Sequence, residues 1–381
     1  MRKGPVLLSL LAIVAIPPLV RMAVFGAMPD GWGVFPPQQH PGVPGFDLGV
    51  FLLGLALAVP ILGVLLRPRR WGFRAVAVPD VARPVGHLAP WYWPGLIVCL
   101  IFLAISSGLV TDAGAVVHHC FVPMWWGFIL ALDGLVYRRT GGASLLARRP
   151  ATLAAIAVTS SLSWAVFEYL DYFVNENWYY PHNTIFTQTG YMLVFAAAYT
   201  TVMPALFEFY ALLTTWPRLR ARWSDGPRLA LSPSGWRLVA WLGAASLAAL
   251  VVLPAPLFPL LWLAPLLLLA GSLMQAGVWT PLTPLARGNW SSVVLIALAC
   301  VGTYTLGEAW NGLSTADNPN FWRYDVPYVN VLHVFEMPAL GYFGYIPFAL
   351  VCWLWWLAHA ALLGLRPAID VIAGDGPAIT D

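Results

Sequence analysis

Ten stretches of about 20 predominantly apolar residues divide this chain, and that length fits one solvent, because a helix rising 1.5 Å per residue needs about that many to cross a 30 Å hydrocarbon layer. They run 4–21, 47–66, 93–111, 115–136, 151–174, 189–215, 236–253, 255–275, 290–311 and 330–364. No polar loop separates the seventh from the eighth. Pro254, Pro256 and Pro259, as helix breakers, divide that run into two. Sixty per cent of the 381 residues are apolar, 10% are charged, and the mean hydropathy is +0.73, values that a water-soluble core does not require. The expected fold class is all-α, a polytopic transmembrane helical bundle of about ten spans.

The basic residues give an independent test, since Lys and Arg accumulate in loops that stay in the cytoplasm. Arg2 and Lys3 precede the first span, Arg67, Arg69, Arg70, Arg74 and Arg83 follow the second, and Arg138, Arg139, Arg148 and Arg149 follow the fourth. Arg218, Arg220, Arg222, Arg228 and Arg237 come after the sixth, Arg287 after the eighth and Arg366 after the tenth. Only Arg21 and Arg323 of the 20 fall on the other side. The expected placement is the cytoplasmic membrane with both termini cytoplasmic. Arg2 and Lys3 before Pro5–Val20 have the look of a signal peptide, but Arg21 and the lack of an A-x-A site favour a retained first helix. Cys99, Cys120, Cys300 and Cys352 lie in apolar segments without a CxxC pair and read as buried small hydrophobes. The net charge of +3 carries no nucleic-acid signature, because no basic run is interleaved with aromatics on a soluble face.

Two stretches share an order of unusual residues. Ser163-Trp164-Ala165-Val166-Phe167-Glu168 is followed by Asn177-Trp178-Tyr179-Tyr180 and Pro204; Tyr304-Thr305-Leu306-Gly307-Glu308 is followed by Asn320-Phe321-Trp322-Arg323-Tyr324 and Pro347. Phe121 and Trp125 match Phe258 and Trp262 more loosely. The expected organisation is two N-terminal helices and a loop over 1–90, a first four-helix unit over 91–232, a second over 233–366 and a tail over 367–381. Four is even, so the units form a parallel repeat whose interface is a natural place for a site.

Ionisable residues in spans cost about 2.5–3.5 kcal/mol each at the helix centre, so those that occur are functional candidates. On this topology they gather at the non-cytoplasmic helix ends: His118 and His119 open the fourth span, Glu168 and Asp171 close the fifth, Glu308 closes the ninth, and His333 and Glu336 open the tenth. Glu176, His182, Asp317 and Asp325 lie in the intervening loops. Glu168 with Asp171, and His333 with Glu336, are three apart and share a helix face. A divalent-metal cofactor, iron, manganese or zinc, would draw on His118 or His119, Glu168, Glu308, His333 and Glu336. Without a metal, Glu168 and Glu308 would form an acid and base pair, one protonated and one ionised, beside rings that can face a developing carbocation. Glu168, Glu308, Glu336 and Asp171 are therefore the catalytic candidates, and Trp178, Tyr179, Tyr180, Trp322 and Tyr324 the substrate-binding ones. Asp133 and Glu208 sit toward the cytoplasmic ends, within reach of Arg138, Arg139 or Arg218, and read as structural. Pro338, Gly341, Gly344 and Pro347 predict a broken last helix or a re-entrant turn before it.

The phrases FEYLDYFVNENWYY at 167–180 and FEMPALGYFGYIPFAL at 335–350 resemble motifs of a family of uncharacterised bacterial polytopic membrane proteins, and the resemblance implies a common fold without an activity. A looser similarity, through Trp322, Tyr324, Glu336 and Pro338, is to lycopene-cyclase-type membrane domains. Ala339 and Leu340 stand where those enzymes carry paired glutamates, and the four-helix period departs from their three-helix unit.

The leading expectation is a membrane-embedded enzyme acting on an isoprenoid or lipid, with membrane lipid or a hydrophobic small molecule as its partner. A transporter or channel, favoured by the repeat and the broken last helix, is the second class, and a pigment-, haem- or protein-binding membrane subunit is the third, with His119 and His333 as the haem candidates. No Walker loop, G-x-S-x-G, Rossmann fingerprint or HExxH occurs.

Overall fold

A computed structural model of the chain describes residues 3–36, 42–78, 85–175, 177–182, 184–315, 317–367 and 369. Arg2, His40, Arg83, Glu176 and nearly all of the 367–381 tail lie outside these residues. The molecule is an all-α helical bundle. Its main helices are α1 (Lys3–Phe25), α2 (Leu48–Leu66), α3 (Tyr92–Ser106), α4 (Phe121–Arg139), α5 (Pro150–Asp171), α6 (Gln188–Tyr199), α7 (Val202–Thr214), α8 (Pro233–Val252), α9 (Leu260–Gln275), α10 (Ser291–Gly312) and α11 (Tyr345–Leu363). Every apolar stretch overlaps one of them, the sixth overlapping both α6 and α7. Seven, with Gln188–Thr214 counted as one, are long and apolar enough to cross a membrane, which makes this an integral membrane protein; α3 and α9 are shorter apolar helices. α4 carries Asp133, Arg138 and Arg139.

Two of the expected helices are interrupted where proline removes a backbone donor. Between α6 and α7, just before Pro204, Ser160 of α5 covers the groups set free: its Oγ donates to Tyr199 O (2.5 Å) and accepts from Met203 N (2.9 Å). Trp126 Nε1 donates to Thr200 Oγ1 (3.1 Å) and the Tyr304 hydroxyl to Val202 O (3.0 Å). A break in a spanning segment is tolerated where neighbouring helices supply such partners. The tenth helix is shorter than the hydropathy predicts. Residues 333–338 form a hairpin of β3 (His333–Val334) and β4 (Met337–Pro338), and Ala339–Gly344 is a 3-10 turn. His333 and Glu336 thus lie on a hairpin and do not open a helix. Pro338 and two glycines disfavour helix there, and Pro347 falls in the first turn of α11, where its missing N–H costs nothing. His118 and His119 likewise end a 3-10 turn, Gly114–His119, ahead of α4.

The hairpins α3–α4 and α8–α9 pack alike. A Cβ on Gly127 would lie 2.6 Å from both Gly95 O and Cys99 N, and one on Gly271 would lie 2.6 Å from both Trp236 O and Ala240 N. Each glycine admits the partner backbone across residues four apart, the close approach that small residues permit in membranes. α11 is largely enclosed, with Trp353, Leu354, Trp356 and Leu357 at 2% exposure or less. α1 lies against α8, α9 and α11, and Ser9 Oγ meets Ser272 Oγ at 2.9 Å.

The loops sort to two ends. At one, the arginine-rich segments bond to each other: Arg74 N to Asp225 O (2.7 Å), Gly86 N to Arg138 O (2.8 Å), Gly226 N to Gly288 O (2.8 Å) and Ser291 Oγ to Arg220 O (2.8 Å). At the other, β1 (Trp178–Tyr179) and β2 (Arg323–Tyr324) form an antiparallel ladder, Trp178 opposite Tyr324 and Tyr179 opposite Arg323. Asp325 N donates to Asn177 O (2.8 Å) and extends it. Tyr179 and Arg323, each standing just before the last tyrosine of its stretch, face each other at its centre.

Candidate functional site

Glu168 and Glu308 occupy equivalent places, each in the last turn of a long helix and each 1% exposed. Glu168 Oε1 accepts from the Tyr180 hydroxyl (2.5 Å) and from Trp164 Nε1 (2.9 Å). Trp178 and Tyr199 approach the same carboxyl. Glu308 Oε1 accepts from the hydroxyls of Tyr324 (2.8 Å) and Tyr345 (2.7 Å), and Trp322 Nε1 donates to the Tyr324 hydroxyl (2.9 Å). The ladder therefore delivers one tyrosine to each glutamate. Burial, then the nearby carboxyl, pushes the Tyr180 and Tyr324 phenols well above their ordinary range, so both stay protonated and act as donors. In each glutamate Oε2 is buried without a hydrogen bond among the described residues. Glu308 fronts a cavity, whereas Glu168 lies behind the aromatic wall.

That cavity encloses about 700 Å³, and Glu308 is the one ionisable carboxylate, lysine, arginine or histidine side chain on its wall among the described residues. Trp178 stacks on Trp262 (5.8 Å) and Tyr304 on Tyr345 (5.3 Å), and Trp164 meets Phe348 edge-on at 5.5 Å. The motif-matched Phe121, Trp125, Phe258 and Trp262 all line it, as do Trp322, Tyr324 and Tyr180. Trp164, Tyr199, Trp262, Tyr304 and Tyr345 belong to the site without having been singled out as site residues. Trp164 and Tyr304 had a signal, as each stands four residues before a glutamate and so on its helix face. Tyr199 and Tyr345 follow the glutamates by more than thirty residues, and only the chain's return brings them back.

Asp171 has a different place. Its Oδ1 accepts from Asn177 N (2.9 Å), and the residue matching it in the second helix, Asn311, accepts from Trp322 N through Oδ1 (3.0 Å) and donates to Trp322 O through Nδ2 (2.8 Å). Both fix the loop that leads into a ladder strand. Tyr179 packs in the ladder and does not line the cavity. Glu336 lies 3.7 Å from Arg323 at the rim, with their side chains 30% and 53% exposed.

The histidines have partners of their own. His118 and His119 both contact Phe186, with centroids at 5.9 and 5.4 Å, and exposed His333 bonds to Asn330 Oδ1 (3.0 Å). His182 stacks on Phe321 (5.3 Å), and burial with Arg323 nearby lowers its pKa. Among the described residues no group of three or more His, Cys, Asp and Glu side chains is placed to hold a metal ion, so the ligand set expected from His118, His119, His333 and the glutamates is not assembled. The expected proximity arose from giving His333 and Glu336 to a helix end and not to a hairpin.

At the arginine-rich end, Asp133 accepts from Trp91 Nε1 (2.9 Å), Ser144 Oγ (2.8 Å) and Leu146 N (2.9 Å), and it faces Glu208 of α7. Through Ser144 and Leu146 it anchors the short helix Leu145–Arg148. Comparison with protein-family models, with curated proteins and with solved structures found no match to this chain.

Proposed function

We propose that the protein is a membrane-embedded enzyme of the cytoplasmic membrane, with both termini cytoplasmic, that performs acid and base chemistry on an isoprenoid or similar lipid held in the aromatic cavity. One observation carries the reading: a tyrosine-fixed carboxyl, Glu308, is the one carboxylate, lysine, arginine or histidine side chain among the described residues that line a largely apolar, ring-lined space of about 700 Å³. Pockets with an apolar lining and a few convergent polar groups are the usual form of a small-molecule site.

In this reading Glu308 donates a proton from Oε2, which faces no competing hydrogen bond, to a carbon of a substrate double bond, and the carboxylate so formed takes a proton back from a neighbouring carbon to end the step, while Tyr324 and Tyr345 hold Oε1 and fix the carboxyl's direction. The faces of Trp178, Trp262 and Trp164 stabilise positive charge that develops on carbon. Glu168 acts through Tyr180, orienting the wall from behind. The cavity wall contains no Lys, Arg or His among the described residues, which leaves a phosphate head group without a partner there and favours an uncharged reacting segment. The two four-helix units, related through the ladder, are read as a parallel repeat that places its site at the shared interface.

The test is the lipid and pigment profile of the native host carrying Glu308→Gln or Glu168→Gln. General acid catalysis contributes about 10²–10⁴-fold, so Glu308→Gln is expected to accumulate a precursor and Glu168→Gln to give a weaker change of the same kind. Unchanged profiles with both proteins present at normal levels would exclude the enzyme. Co-purification of an unaltered lipid would then favour the binding subunit.

A further inference from the structure

α2 packs little against the other long helices, although mid-helix Gly54 meets Leu340 and Ala58 is buried. Its principal packing partners are two short 3-10 segments, Pro68–Trp71 and Ala339–Gly344. It is fastened at both ends. Asp47 N donates to Tyr328 O (2.9 Å) and Tyr328 N to Pro44 O (3.1 Å) at the ladder end, and Trp223 Nε1 donates to Val64 O (3.0 Å) at the other. Between these anchors Val50, Leu53, Gly54, Leu57, Ala58 and Ile61, one stripe at helical spacing, form a wall of the cavity. Leu53 and Leu57 on that inward stripe are 61% and 63% exposed, as open as residues on an outer surface.

The exposed residues of the cavity wall are confined to two places: Val50, Leu53 and Leu57 on α2, and Pro256, Pro259 and Leu263 at the start of α9. The cavity therefore opens sideways, between α2 and the α8–α9 turn, through an edge made wholly of apolar side chains. Such an edge at the depth of a spanning helix meets hydrocarbon.

We infer that this gap is a lateral portal through which the chain of an uncharged bilayer lipid, a long prenyl or comparable apolar chain, enters the cavity beneath the α2 strap. This rests on the reading of the cavity as a lipid site and specifies the route and the class of ligand. Size supports it: a cavity of about 150 Å³ takes benzene, roughly 25 Å³ per carbon, so 700 Å³ takes on the order of 28 carbons. A small polar solute would gain nothing from such an edge, and a diphosphate would meet no cation inside.

The test uses the full chain in phosphatidylcholine vesicles that contain a C20 prenyl alcohol bearing a diazirine, followed by irradiation and peptide mapping. Label is expected on the inward stripe of α2 and on Trp262 and Leu263. Leu57→Trp should reduce it several-fold, whereas Leu55→Trp, off the stripe, should leave it unchanged. Near-native thermal unfolding of both variants shows that folding is not the cause. Label spread equally over all lipid-facing helices, or cavity label that Leu57→Trp does not reduce, overturns the portal. A probe carrying a diphosphate that labels the cavity as well as the alcohol overturns the ligand class. Failure here with altered lipid profiles in Glu308→Gln leaves the enzyme standing and removes only the route.

Discussion

At the scale of single residues, the two acid positions of the fifth helix separate into different tasks. Asp171 and Asn311 receive a backbone N–H through equivalent oxygens, so the position needs an acceptor and not an acid. Asp171→Asn is therefore expected to keep the lipid profile of the native protein, while Asp171→Ala loses a buried hydrogen bond and about 1–2 kcal/mol. Thermal unfolding in detergent, run beside the lipid profile, separates the two effects. If Asp171→Asn behaves like Glu308→Gln, the position is part of the chemistry after all. The glutamates were legible in the sequence because a carboxylate inside an apolar stretch has few structural uses. Their aromatic clamps were half legible: Trp178, Tyr180, Trp322 and Tyr324 follow in short loops, whereas Tyr199 and Tyr345 arrive by tertiary folding.

At the scale of elements, hydropathy located every main helix, because in a bilayer the backbone must satisfy itself and an apolar run has little alternative to helix. It could not locate the breaks. The interruption at 200–201 depends on Ser160, a residue on another helix, whose hydroxyl serves both Tyr199 O and Met203 N. Ser160→Ala strands two buried backbone groups and is expected to cost roughly 2 kcal/mol, read as a lower midpoint of thermal unfolding. The two-residue ladder strands were also illegible, since two residues show no alternation. The glycine notches make a stronger demand. Gly127→Ala and Gly271→Ala each drive a Cβ to 2.6 Å from facing backbone, so each should destabilise by about 1–3 kcal/mol, the range of overpacking, and by similar amounts because the two hairpins pack alike. A neutral Gly271→Ala beside a damaging Gly127→Ala would argue against equivalent units.

At the scale of the whole molecule, the arginine count and the structure meet at the loops. The basic segments 67–74, 218–229 and 285–291 bond to one another at one end, where Arg138 O also receives Gly86 N, and the glutamates, the ladder and the hairpin of β3 and β4 lie at the other. The cavity between them was not legible, because α2 is as apolar on the face it turns to the gap as on the face it turns to lipid. Hydrocarbon chains are as apolar as leucine, so composition does not tell a packed face from an open one. What the count does claim is sidedness, and it can be tested with one reagent. The four native cysteines are all buried, so a membrane-impermeant maleimide meets little background. Leu332→Cys at the hairpin, where the native side chain is 68% exposed, should react in intact cells. Ala230→Cys, exposed in the arginine-rich loop, should react only after the membrane is opened. The reverse pattern would place the glutamates on the cytoplasmic side and invert the topology. Reaction of both in intact cells would break the odd number of crossings between them, since 230 and 332 are separated by α8, α9 and α10, and three crossings must put them on opposite sides.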